Sequence, residues 1–398
     1  MALNHVPLDR IDVELLKGLI DASAPEAQHI DYKRETYGGN DAARAEYLAD
    51  VSSFANTVGG DLLIGIDAPA GVPTRLTPFT GDADAERLRL EQMARAGLEP
   101  RIPNLQTKAV VIGASAILVL RVSRSYMRPH RVIFQGKNKF WARSSAGKYE
   151  PNVDELRAMF NEAPQLAERM RHFREERLAR IGGDESPAQL LDNTYLVLHV
   201  IPFSHFDLGP LLSIEEVARH PDYFPPFRNG LPAQWRVNFD GFLTLSNADE
   251  NAAAQRAYVQ LFRSGAIEAV ACSITRGGNN VNIQQIDQMI VRFSRVYALA
   301  LKECGIEPPL VVMASLCGMK GRGLTTGVRN VDGNLEGQIA DRDQLLLTEV
   351  IFEQLPSGDQ ECATILRPVL DQLSNAAGRA SAISFDGAGN YLLTAWIF

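Results

Sequence analysis

The chain has 398 residues, enough for about two or three domains, and its 45% hydrophobic and 22% charged content is that of a globular protein, not a disordered or fibrous one. A formal charge of −8 argues against a generally basic nucleic-acid coat protein. No apolar run reaches the ~18–20 residues of a membrane span, residues 1–9 lack the basic-then-apolar order of a secretory signal, and Cys272, Cys304, Cys317 and Cys362 form neither a zinc pattern nor a disulfide framework, so a cytoplasmic location without membrane contact is expected.

In chain order, Ile11, Leu15, Leu16, Leu19 and Ile20 mark one helix face. A helix is predicted from Asp41 to Thr57, capped by Asn40 and stopped by Gly59-Gly60, with Leu62–Ile66 following as a buried strand. Val110–Ile112 and Ile117–Leu120 flank a Gly113-Ala114-Ser115 turn and predict a hairpin; Val132–Phe134 with Lys139–Arg143 predict another. The charged run Gln165–Ile181 is a helix ended by Gly182-Gly183-Asp184-Glu185-Ser186-Pro187. Beyond it, Tyr195–Pro202 is read as a strand and Asn251–Ser264 as a helix stopped by Gly265. Ile283, Ile286, Ile290, Phe293, Tyr297 and Leu301 line a long helix ending at Gly305, and Gln360–Asn375 is read as a last helix. The expected organisation is α+β throughout: a nucleic-acid domain at 1–162, a helical linker at 163–186 and a second α+β domain at 187–398. The halves split by charge, with 25 bases and 26 acids in residues 1–186 against 15 and 22 in 187–398.

A local asymmetry hides in that average. From Arg101 to Tyr149 there is no Asp or Glu, where an even spread would put about six, while ten bases are present. Such a one-signed stretch is the footprint of a polyanion site, with Arg124, Arg128, Arg131, Lys137, Lys139 and Arg143 as phosphate contacts. The other reading is a surface whose counter-charges come from elsewhere in the fold. Tyr126, Phe140 and Trp141 are interleaved with these bases, as stacking platforms or as core, and His130 is read as a packed histidine.

Two further segments carry chemistry. Glu26-Ala27-Gln28-His29-Ile30-Asp31-Tyr32-Lys33 places two acids five apart on an extended stretch, and with Ile30 and Tyr32 inward, Asp31 and Lys33 share the opposite face. Phe54-Ala55-Asn56-Thr57-Val58-Gly59-Gly60-Asp61-Leu62-Leu63-Ile64-Gly65-Ile66-Asp67 brackets a buried strand with more acids. Carboxylates brought together from distant strand ends suit Mg2+ or Mn2+, which activate water and offset charge in phosphodiester cleavage. On spacing alone the signal is weak, since acids near strand ends are usually solvated. Lys33 is either a phosphate partner or a surface lysine; Asn56 and Thr57 read as capping and turn residues. The Cys317–Gly323 segment lacks the Gly-Lys-Ser/Thr of a phosphate loop, Arg276–Asn280 is a turn, and neither a Gly-x-Ser-x-Gly elbow nor a His-Glu-x-x-His helix occurs.

Together these segments resemble the Schlafen-type AlbA-like domain, whose hallmark is E-x4-E-F-K, then A-F-A-N-T-x-G-G, then a strand ending I-G-V-D. The matching positions are Glu26, Asp31-Tyr32-Lys33, Ser53–Thr57, Gly59-Gly60 and Ile64–Asp67, with Pro129-His130, Phe140–Arg143 and a helix from Val153 to Phe160 as closing elements. The resemblance spans about residues 11–160. It implies a divalent-metal RNA endonuclease acting on transfer RNA, with Glu26 and Asp31 as the first two acids, Asp replacing the second Glu, and Asp67 or its neighbour as the third, although the next position is Ala68. It also implies homodimer or higher pairing of lobes and a switchable role, for instance in phage defence, with residues 187–398 sensing a protein trigger. The alternative within the same resemblance is a non-catalytic DNA- or RNA-binding transcriptional regulator.

Overall fold

The computed structural model describes residues 3, 6–103, 105–183, 185–206, 211–227, 232–247, 254–276, 279–329 and 335–392. The fold is α+β, and it divides into two compact units, Met1–Glu168 and Arg169–Phe398.

The first unit runs α1 (Val13–Asp21), β1 (Ile30–Lys33), α2 (Asp41–Ala55), β2 (Gly59–Ile64), β3 (Ile66–Asp67), β4 (Arg75–Leu76), α3 (Ala83–Gly97), β5 (Leu98–Glu99), β6 (Leu105–Ile112) and β7 (Ser115–Ser123). It continues with β8 (Arg131–Phe134), β9 (Lys137–Phe140), β10 (Ala142–Ser144), β11 (Gly147–Tyr149) and α4 (Val153–Gly182), which extends past the division. Its main sheet has the order β1-β2-β7-β6, with β1 parallel to β2 and the other pairs antiparallel. Both sheet faces are covered, which is why β2 reads as an unbroken apolar run. Leu62 and Ile64 pack with Tyr47, Leu48, Val51 and Phe54 of α2, whereas Leu63 packs with Ile30, Tyr32, Leu16 and Leu19.

Asp12 caps α1 by accepting from the Leu15 N–H, so Ile11 lies just outside the helix although it is fully buried. Asn40 caps α2 through the Ala43 N–H, as the sequence predicts. The Gly59-Gly60 pair serves two needs. Gly59 has φ +79°, and a Cβ there would lie 2.6 Å from the Arg124 backbone nitrogen; at Gly60 a Cβ would meet the Phe54 ring at 2.5 Å. Only the first is a matter of backbone conformation. The predicted second hairpin is two, β8–β9 and β10–β11, interrupted at Trp141.

The second unit adds β12 (Tyr195–Pro202), α5 (Ile214–Val217), β13 (Gln234–Val237), β14 (Gly241–Leu245), β15 (Ala257–Phe262), β16 (Ile267–Cys272), β17 (Thr275–Arg276), β18 (Asn280–Asn282) and α6 (Ile283–Glu303). After these come β19 (Leu310–Cys317), β20 (Gly323–Arg329), β21 (Leu335–Ile339), β22 (Leu345–Leu346), β23 (Val350–Phe352), α7 (Asp359–Ile365) and α8 (Arg367–Ala376). Its large sheet is ordered β13-β14-β15-β16-β12-β19-β22, with β23 also on β19, and a smaller sheet is ordered β17-β18-β20-β21. Ile286, Ile290, Phe293, Tyr297 and Leu301 of α6 pack on one face of the large sheet; Leu178 and Ile181 of α4 pack on the other with Val197 and Tyr258.

Three expectations change here. The predicted Asn251–Ser264 helix is the inner strand β15, and residues 251–253 lie outside the described ones. Tyr258, Val259, Gln260 and Leu261 are buried on both faces, so the two-residue alternation that would have marked a strand is absent. The last predicted helix is two, because Pro368 in the first turn of α8 has no N–H to continue α7. The 163–186 stretch is helical to Gly182 as the continuation of α4, and Asp184 lies outside the described residues. Gly277 and Gly278 of the predicted Arg276–Asn280 turn also lie outside them. Among the described residues no helix is long and apolar enough to cross a membrane.

Candidate functional site

β1 is the edge strand of the first unit's sheet, and its alternation decides which side chains meet. Ile30 and Tyr32 enter the core on the α1 face, so Asp31 and Lys33 lie on the face covered by α2. Glu26, just before the strand, folds back onto it: its Oε1 accepts from the Tyr32 N–H at 3.1 Å, and its own N–H donates to the Gly71 carbonyl at 2.7 Å. Burial, together with the neighbouring Asp31 carboxyl, pushes Glu26 up to about 7. Burial alone would raise Asp31 as well, but Arg143 and Lys33 outweigh it and hold Asp31 below the usual carboxylate range. Lys33 Nζ lies 3.1 Å from Asp31 Oδ2, and Arg143 lies 3.1 Å from Asp31 Oδ1. The structure thus brings together Glu26, Asp31 and Lys33, three residues singled out in the sequence.

It missed the helix that faces them. Asp50 of α2 is 1% exposed, and its carboxylate accepts from the Tyr37 hydroxyl at 2.7 Å and from Lys148 Nζ at 2.8 Å, with Lys33 Nζ 3.5 Å away. Glu46, one turn earlier, stands 3.9 Å from Lys33. In the sequence Asp50 is one acid in the middle of a helix, and no local signal separates it from a solvated one.

Asp67 takes a different course. It ends β3, and its carboxylate pairs with Arg75 at 3.0 Å. Asp61, within β2, is buried against Arg121, whose guanidinium engages both oxygens and also the Leu3 and Val6 carbonyls. Among the described residues no group of three or more His, Cys, Asp or Glu side chains is arranged to hold a metal ion.

Asn56 is a buried cross-link. Its amide donates to the His130 and Trp141 carbonyls, each at 2.9 Å, and its oxygen accepts from the His130 N–H at 2.6 Å. Thr57 Oγ1 donates to the Ser53 carbonyl and accepts from the Arg143 N–H. These two residues therefore seat the segment that delivers Arg143 to Asp31. His130 is fully buried, with Nδ1 2.7 Å from the Pro100 carbonyl, and burial holds it below the usual imidazole range.

The basic run finds its counter-charges outside itself. Glu162 engages both Arg124 and Arg128, Glu99 engages Arg131, and Glu150 engages Lys139. Arg128 also donates to the Asn56 and Thr57 carbonyls at the end of α2. The Arg131 and Lys139 pairs are surface pairs that a phosphate can displace at little cost. Arg143 differs: its side chain is 4% exposed, stacked on Phe54 and spent on Asp31, which makes it part of the site's frame rather than its surface. The side chain of Lys137 lies outside the described residues. Tyr126 and Trp141 lie against Arg124 and Lys139, and Phe140 meets Phe160 edge-on.

Residues 26–152 match the family described as Schlafen, AlbA_2. This segment is a Schlafen/AlbA_2 domain. A domain of that family implies a function related to nucleic acid, and every residue gathered around Asp31 lies within the Schlafen/AlbA_2 boundaries. Among solved structures, the chain is similar to the DIP2311 protein from Corynebacterium diphtheriae, at 20% identity and a TM-score of 0.27, covering 38% of this chain and 28% of that one. It is also similar to the N-terminal domain of a putative ATP-dependent DNA helicase RecG-related protein from Nitrosomonas europaea, at 24% identity and a TM-score of 0.22, covering 28% of this chain and 71% of that one. The chain thus spans little more than a quarter of the length of the first of these. No curated protein matches the chain.

Proposed function

We propose that the Schlafen/AlbA_2 domain binds structured RNA, of which transfer RNA is the type, and cleaves its backbone with Mg2+ or Mn2+. The observation that carries this reading is the neighbouring Glu26 and Asp31 carboxyls, Asp31 buried with Lys33 and Arg143 each 3.1 Å away and Glu26 raised by burial. Environments that push two carboxyl pKa values apart divide the acid and base roles between them. The donor set suits a hard cation that takes one or two protein carboxylates and completes its shell with water and phosphate oxygens. Glu26 and Asp31 would hold it, and when bound it would supply an acidified water and charge for the developing oxyanion. Asp67 is a third ligand only if it leaves Arg75. Lys33, 3.1 Å from Asp31, faces the phosphate charge.

The second reading, a nucleic-acid-binding regulator without cleavage, is favoured by the way Arg143 and Lys33 already close both oxygens of Asp31. One experiment separates them. The full chain is incubated with total transfer RNA in Mn2+, in Mg2+ and in chelator, beside Glu26→Gln and Asp31→Asn. Metal-dependent cleavage that falls by about 100-fold or more in both variants supports the enzyme. Salt-sensitive binding with no cleavage in any metal supports the regulator.

A further inference from the structure

The hairpin β10–β11 sets Arg143 directly opposite Lys148 in its register. Two like charges facing each other across a strand pair are unfavourable on their own. Each is relieved by a different buried acid, Arg143 by Asp31 and Lys148 by Asp50. The two cations then part company. Arg143 is enclosed at 4% exposure, whereas the Lys148 side chain keeps 27% and that of Lys33 keeps 25%.

Asp50 links those two open lysines. Lys148 Nζ sits 2.8 Å from its Oδ1, and Lys33 Nζ 3.5 Å from its Oδ2. The carboxylate itself is immobilised by the α2 backbone and by the Tyr37 hydroxyl, whose ring stands edge-on to Tyr47. One buried negative charge thus carries two ammonium groups, of which Lys148 keeps N–H donors beyond its one acid partner. The further acids in reach are Asp31 on Lys33 and the half-exposed Glu46, 3.9 Å from Lys33.

We propose that Lys33 and Lys148, tethered side by side by Asp50, form a clamp for one backbone phosphate of the nucleic acid, next to Glu26 and Asp31, with Asp50 as the positioning residue. The proposal rests on the reading of this domain as one that binds RNA. The clamp fixes where the backbone lies relative to the carboxyl pair, and it carries no base preference, since phosphate contacts position without specifying.

The test is binding of a labelled single-stranded RNA oligonucleotide to the full chain across a KCl series in chelator, so that cleavage plays no part. Lys148→Gln is expected to weaken binding about five- to tenfold at low salt and to reduce the slope of log affinity against log salt by about one, with Lys148→Arg retaining both. Asp50→Asn separates positioning from bulk charge. Removing a negative charge would tighten RNA binding if only the local field mattered, whereas losing the tether weakens it. A Lys148→Gln slope equal to that of the parent, or tighter binding by a folded Asp50→Asn, overturns the clamp while leaving the RNA-binding reading intact. No binding by the parent chain overturns both. Should Asp50→Asn fail to fold, the two Lys148 variants decide the matter alone.

Discussion

At the scale of single residues, the groups proposed to do chemistry differ from the groups that hold them. Asp31 and Lys33 were legible as neighbours because a period-two strand carries them to one face, with Glu26 just before it. Asp50 was not, since its meaning depends on Lys148, 98 positions away. Arg143 was misplaced for a related reason: a base in a basic run looks like a surface contact until its tertiary partner is known. Asn56 makes the holding role measurable. Asn56→Ala removes three hydrogen bonds and leaves buried backbone groups of His130 and Trp141 unpaired. A loss of about 3 kcal/mol is expected, read from denaturant unfolding of the first unit, and RNA affinity should fall with it as Arg143 loses its seat.

At the scale of elements, short buried strands proved the hardest to read and capped helices the easiest. α2 follows its Asn40 cap and α6 its apolar stripe from Ile283 to Leu301, because capping and periodicity are local. β15 is hidden by its double burial, and the division of α7 from α8 turns on the one missing N–H of Pro368. The turn into β2 shows how far conformation and space can be told apart. Gly59 and Gly113 both adopt positive φ, at +79° and +61°, but only Gly59 has backbone atoms where a Cβ would go. Gly113→Ala is expected to cost about 1 kcal/mol from backbone strain. Gly59→Ala should cost roughly 3 kcal/mol or more, because Arg124 and Val122 must also shift. Equal losses in a urea titration would mean that the strand packing is softer than the structure implies.

At the scale of the whole molecule, burial and pairing move carboxyl groups in opposite directions within each unit. The second unit buries Asp287 of α6, which accepts from the Ser384 and Tyr391 hydroxyls, and burial raises it to about 6. An acid whose folded pKa lies above its ordinary value stabilises the fold while protonated, so that contribution is complete below about pH 4 and is lost as pH rises through about 6. The unit should therefore lose on the order of 3 kcal/mol of this contribution between those limits, and Asp287→Asn should flatten the trend in urea midpoints taken at pH 4.5 and 7.5. A parent chain with equal midpoints at both pH values would contradict the burial of this carboxyl. Glu268 acts in the opposite sense: Arg177 and His199 hold it at about 2 despite complete burial, so its contribution persists until strongly acid pH.

The acid-free run of the first unit has one more implication. The carboxylates that answer Arg121, Arg124, Arg128, Arg131, Lys139, Arg143 and Lys148 all come from outside it, from Asp61, Glu162, Glu99, Glu150, Asp31 and Asp50. Much of the charge compensation there is a product of folding, and the same 49 residues in an opened chain carry ten bases and no acid. A polyanion such as heparin then has a second mode of attachment, to the unfolded state, and binding of that kind draws the equilibrium away from the native one. If nucleic acid is the ligand proposed for the folded domain, it would also be a trap for the unfolded form.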